Sequence, residues 1–80
     1  MTLNDAVAKR VSNLLRERGM KQYGLEKKSG IQHGSLQCIM KGKNKTVTIS
    51  TIYMLARGFD MSHVEFLNDP IFFDDDLEIE

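Results

Sequence analysis

Residues 21–42, KQYGLEKKSGIQHGSLQCIMKG, constrain the fold more than any other stretch of the chain. Leu25, Ile31, Leu36 and Ile39 recur at helical intervals on either side of Gly30, so two short helices share one buried corner. Gly30 supplies the positive backbone dihedral that a sharp turn between them needs. The outward side of the second helix is left with Gln32, His33, Ser35, Gln37, Cys38 and Lys41. An exposed face of amides and a hydroxyl, closed by a lysine, offers the groups that hydrogen-bond base edges in a DNA major groove.

The flanking sequence supplies the rest of a helical bundle. Leu3, Val7, Val11, Leu14 and Leu15 make one apolar stripe, predicting a first helix over about Asn4–Arg18. Thr2 or Asn4 can cap it, and Gly19 suits the left-handed position after its end. The second helix, about Lys21–Ser29, has no capping side chain and carries Gly24 in its interior, at a cost of about 1 kcal/mol relative to alanine. It must lean on Leu25 and Met20. A third helix is expected over about Gln32–Lys41, with Ile31 and Leu36 as a hydrophobic staple across its start. A fourth begins at Thr48, with Val47 and Ile52 as its staple and Ile49, Ile52, Leu55, Ala56 and Phe59 as its inward face. Ser62-His63-Val64-Glu65 is a capping box for a fifth, stapled by Met61 and Phe66 and stopped at Asp69-Pro70. The expected fold class is all-α: a compact five-helix domain over residues 1–69, with an acidic C-terminal extension over 70–80. In that extension Ile71, Phe73, Leu77 and Ile79 share odd positions and suit a half-buried extended segment. Disorder with Phe72 or Phe73 docked fits equally well.

Eighty residues allow one small core. The single cysteine excludes an intrachain disulfide framework and fits a reducing cytosol. No apolar run approaches the roughly 18 residues of a membrane span, and MTLNDAVAKR lacks a signal-peptide centre. A cytoplasmic protein is expected. The net charge of zero hides a division. Residues 1–59 hold eleven Lys and Arg against three acids, a balance of +8, while residues 60–80 hold eight acids and no Lys or Arg, −8. The basic body suits a polyanion partner; ordinary solvated helix faces with an acidic solubility tail suit the numbers equally well.

Taken together, Gln22, Leu25, Gly30, Leu36, Ile39, Gly42-Lys43 and the run TISTIYMLARGFDMS at 48–62 resemble the Cro/repressor-type (Xre-like) helix-turn-helix family over about residues 5–68. The resemblance implies a lambda-repressor-like bundle with the third helix as DNA reader and Gln22 as a phosphate clamp. It also implies a homodimer on near-palindromic half-sites one helical turn apart, ~10 bp. Three departures stand out. Glu26 replaces a small alanine of the family. Leu15 and Met40 replace a paired arginine and glutamate, so an apolar contact between them is expected. Gly34 stands where a base-contacting side chain is common; it reads nothing itself but lets backbone and groove come close.

The expected DNA-contacting set is therefore Gln22, Gln32, His33, Ser35, Gln37, Cys38, Lys41, Lys43, Asn44 and Lys45. Gln32, His33 and Gln37 offer donors and acceptors to bases, while the lysines supply salt-sensitive affinity for any duplex. Cys38 is read equally well as a contact to a thymine methyl or as a small buried residue. Tyr53, Phe59, Met61, Phe66 and Leu67 are assigned to the core or a dimer contact, and Lys9, Lys27 and Lys28 to plain solvated positions. His33, Cys38 and His63 match no metal-ligand spacing. No nucleophile and base, phosphate loop or carboxylate pair points to an enzyme, and no cofactor is implied. The expected function is a sequence-specific double-stranded DNA-binding transcriptional regulator, a repressor acting by operator occlusion. Two rivals stand beside it: a protein-interaction module, such as an antitoxin or regulator partner acting through the acidic C-terminus, and a helix-turn-helix fold that no longer binds DNA.

Overall fold

A computed structural model describes residues 1–43 and 47–79. Among the described residues five helices follow one another: α1 (Leu3–Glu17), α2 (Gln22–Ser29), α3 (His33–Met40), α4 (Ile49–Gly58) and α5 (His63–Leu67). A 3-10 turn, Pro70–Phe72, follows α5.

Local chemistry explains most of the boundaries. Thr2 caps α1 rather than Asn4: its hydroxyl accepts from the Asp5 N–H at 3.0 Å and Asp5 accepts from the Thr2 N–H at 3.2 Å, a reciprocal capping box. Asn4 lies one residue inside the helix and is buried. Thr48 caps α4, and Ser62 with Glu65 forms the expected box on α5. By contrast α2 and α3 begin without a side-chain cap, at Lys21 and Gln32. Tertiary packing must hold these two helices. Gly30 closes α2 in the left-handed conformation, φ 78°, and its N–H returns to the Glu26 carbonyl at 3.0 Å.

The core joins Val7, Val11, Leu14 and Leu15 of α1 to Leu25, Ile31, Leu36, Ile39, Ile52, Leu55, Ala56, Phe59 and Phe66. Within it α2 packs on α4, α1 on α3, and α4 on α5. Leu15 lies in this core and Met40 packs against it. Ile49 departs from its expected inward position: it is 75% exposed. Val47 before the helix and Ile52 in its first turn both pack in or on the core, so Ile49 lies at the margin of the apolar stripe and turns away from the packed layer. Of the residues assigned to the core or a dimer contact, Tyr53 and Leu67 are partly exposed, at 40% and 41%, whereas Phe59 and Phe66 are fully buried.

The C-terminal segment combines parts of both expectations. Phe72 packs against the core with its ring 6.2 Å from that of Phe66. Further on, Glu78 forms a single parallel bridge with Thr2, its carbonyl accepting from the Leu3 N–H at 2.6 Å. Ile71 and Leu77 are half-buried, but Phe73 and Ile79 face solvent, so no continuous apolar edge runs through odd positions.

Two lysines assigned to plain solvation have partners instead. Lys28 forms an ion pair and hydrogen bond with Asp60, and the Lys27 ammonium sits 4.8 Å above the Tyr23 ring.

Candidate nucleic-acid interface

The geometry of α3 follows from which of its residues the core claims. Leu36 and Ile39, three positions apart, are 0% and 4% exposed, and Ile31 is buried just before the helix. Their burial turns the opposite side outward. Gln32, His33, Gly34, Ser35, Cys38 and Lys41 are exposed, and Gln37 is half-buried. Cys38 is thus resolved as a surface thiol. It borders a shallow depression between α3 and α4, walled also by Gln32, Ser35, Thr51 and Met54.

Helix α2 packs beside α3. Gln22 is its first residue, half-buried, on a helix end whose first backbone N–H groups have no side-chain cap. Such an end carries a partial positive charge and free donors suited to a phosphate oxygen. Tyr23 stands beside it, 65% exposed. Tyr23 is absent from the expected contact set, and only its position next to Gln22 could have brought it in.

A run of hydrogen bonds links the two helices. Gln22 Nε2 donates to Glu26 Oε2 at 3.3 Å, and His33 Nδ1 lies 2.6 Å from the same oxygen. Gln37 Nε2 then lies 3.2 Å from His33 Nε2. Three residues of the expected contact set, Gln22, His33 and Gln37, are therefore tied together through Glu26. In the sequence Glu26 stands out only as a departure from a small residue. Its spacing of four from Gln22, one helical turn along the same face, is the signal that could have placed it there.

Lys41 and Lys43 are exposed just past α3. Asn44 and Lys45, expected to continue this cluster, lie outside the described residues. His63 belongs to a different surface, where its ring stacks on Tyr53 with centroids 4.2 Å apart. Among the described residues no group of three His, Cys, Asp or Glu could hold a metal ion, and no helix is long and apolar enough to cross a membrane.

A short helix seated in a corner against a second, with an amide-rich face turned to solvent and an uncapped helix end beside it, defines a helix-turn-helix protein. The chain belongs to the Cro/C1-type HTH DNA-binding domain family, whose pattern it matches over residues 10–70. It is 31% identical over 67 residues to y4dJ of Sinorhizobium fredii, described as an uncharacterized HTH-type transcriptional regulator; the match covers 84% of this chain and 86% of that protein. The fold superposes on the crystal structure of an HTH_3 family transcriptional regulator from Vibrio cholerae with a TM-score of 0.73 and 28% identity. That superposition covers 84% of this chain but only 38% of the Vibrio cholerae chain. The lambda-repressor-like all-α fold expected from the resemblance is the fold found.

Proposed function

We propose that this chain is a cytoplasmic transcriptional regulator that binds specific double-stranded DNA sites with α3 in the major groove, and that it represses by occupying an operator. The observation that carries the reading is the division of α3 between buried Leu36 and Ile39 and exposed Gln32, His33, Ser35 and Cys38. In this reading Gln22 and the start of α2 hold a phosphate, Gln32 and Gln37 read base edges, and His33, whose ring nitrogens face Glu26 and Gln37, takes part through Gln37. Lys41, Lys43, Asn44 and Lys45 grip the adjacent backbone. Occlusion needs nothing beyond the DNA-bound domain itself, since its presence on the duplex blocks other proteins. A homodimer through α5 and the C-terminal segment supplies the symmetry; Val64 and Leu67 of α5 and Phe73 beyond it are exposed apolar residues suited to such a contact.

The test is selection of bound sites from a random duplex pool at physiological salt. A palindromic consensus with half-sites about one helical turn apart, ~10 bp, is the expected result. Exchanging Gln32 and His33 for alanine relaxes that consensus. Exchanging Lys43 and Lys45 for alanine weakens binding to every duplex and lowers the salt slope by about 1 for each phosphate no longer neutralised. DNA affinity at low salt that survives both exchanges unchanged sinks the proposed face.

A further inference from the structure

We propose that Glu26 is a positioning residue for base recognition: it fixes which nitrogen of His33 carries the hydrogen, and through His33 it sets the face that the Gln37 amide offers to a base. The inference rests on the DNA-binding reading above.

Glu26 is the anchored end of the chain of bonds. Its side chain is 14% exposed against 66% for His33. Oε2 takes a second donor from Gln22 Nε2 at 3.3 Å, which restrains the carboxylate further. An ionised carboxylate only accepts, so the ring nitrogen 2.6 Å away, Nδ1, carries a hydrogen. In the neutral ring Nε2 is then the lone-pair nitrogen. Gln37 Nε2, 3.2 Å from it, must donate. One amide hydrogen is used there. The carbonyl oxygen of Gln37 and its second amide hydrogen remain side by side as an acceptor and a donor. Adenine presents the complement in the major groove, an N6 hydrogen next to the N7 lone pair.

The opposite tautomer reverses the outcome. A ring with hydrogen on Nε2 donates to the Gln37 oxygen and leaves two N–H groups outward, a set suited to the O6 and N7 acceptors of guanine. Glu26→Gln removes the constraint, because an amide can donate to Nδ1 as readily as accept from it.

Two measurements on the full chain test this. Nitrogen-15 two-bond correlation spectra of the free protein at pH 8 read the His33 tautomer without DNA. The Nδ1–H form is expected in the wild type, with Nε2–H appearing in Glu26→Gln. An Nε2–H ring, or a doubly protonated one, in the wild type overturns the proposal. Site selection then compares the chains at the base pair that Gln37→Ala makes indifferent. The wild type selects adenine there, and Glu26→Gln loses that preference by about tenfold while keeping the positions read by Gln32. An unchanged adenine preference in Glu26→Gln overturns the proposal. Should that variant fail to fold, His33→Ala at an exposed position removes the same link and must erase the same preference; if it does not, the proposal falls. A wild type that binds no duplex yet shows the expected tautomer overturns the DNA-binding reading, and the role of Glu26 in recognition falls with it.

Discussion

Arg10 donates from Nε to the carbonyl oxygen of Phe66 at 2.8 Å, joining the middle of α1 to the end of α5 across 56 positions of chain. Its two terminal nitrogens reach the Glu65 carbonyl at 3.0 Å and the Asp69 carboxylate at 3.1 Å, and its guanidinium lies 5.8 Å from the Phe66 ring centroid. A five-residue helix cannot sustain itself in water. Arg10 gives the Phe66 carbonyl a donor in place of a further helical turn, and adds a second donor to the Glu65 carbonyl, which also accepts from the Asn68 N–H at 3.2 Å.

Arg10→Ala is therefore expected to destabilise the fold by roughly 3 kcal/mol, the lower end of the range for breaking a buried charge pair. The lower end applies because the Asp69 side chain is 27% exposed and keeps some hydration. Arg10→Lys should recover little, since an ammonium cannot hold three diverging acceptors in one plane. Urea melts of the two variants check this; a loss within 0.5 kcal/mol, about the size of an ordinary surface change, counts against the clamp.

Gly58→Ala gives an unusual sign. Alanine in a helix gains about 1 kcal/mol over glycine. A Cβ at Gly58, however, falls 2.6 Å from Leu25 Cδ1 and 3.0 Å from Ser29 Cβ. Leu25 is fully buried and has nowhere to move, so α2 must shift away from α4. Overpacking costs about 1–3 kcal/mol. The expected result is a net loss of about 1 kcal/mol in a denaturant melt. Because α2 carries Gln22 and Glu26, DNA affinity should fall with stability.

Asp60 brings a pH dependence. The hydrogen bond and charge of Lys28 hold its carboxyl below the ordinary aspartate value of 3.8. A depressed folded value means stabilisation that is complete above 3.8 and disappears as pH falls through the lower folded value. Asp60 also has a left-handed backbone, φ 57°, which asparagine tolerates well. Asp60→Asn should thus keep the turn while losing the acid-sensitive increment. Melts across about pH 2.5 to 6 should show the wild type losing more stability than the variant below about pH 4; parallel curves would count against the pair. Both side chains of the pair are exposed to solvent, so added salt should shrink the difference.

The sequence made α3 legible because its two faces differ so plainly: Leu36 and Ile39 against Gln32, His33 and Ser35. Caps written into local spacing, such as Ser62 with Glu65, were legible for the same reason. Arg10 was not. It stands three residues after Val7 and one before Val11, where a charge reads as a solvated flank, and its acceptors lie more than 50 positions away. The role of Glu26 was hidden too, since its link to His33 exists only once Gly30 has folded α3 back against α2. Ile49 failed in the other direction: it stands at the margin of the α4 stripe, where spacing alone does not decide between core and solvent. At the site itself, residue types named the candidates, while which of them are wired together emerges only in the folded chain.

Gly34 separates stability from recognition most cleanly. It lies in the first turn of α3, it is exposed, and a Cβ there meets nothing within 4 Å. Gly34→Ala should therefore stabilise the fold by about 1 kcal/mol through helix propensity alone. If α3 enters the groove with its backbone close to the bases, the added methyl occupies that approach. Affinity for the selected site should then fall although the protein melts at a higher temperature. Thermal melts and titration of a labelled duplex, run on the same preparation, read both quantities. Higher stability with undiminished affinity would place the first turn of α3 away from the DNA and move recognition toward Gln37 and Cys38.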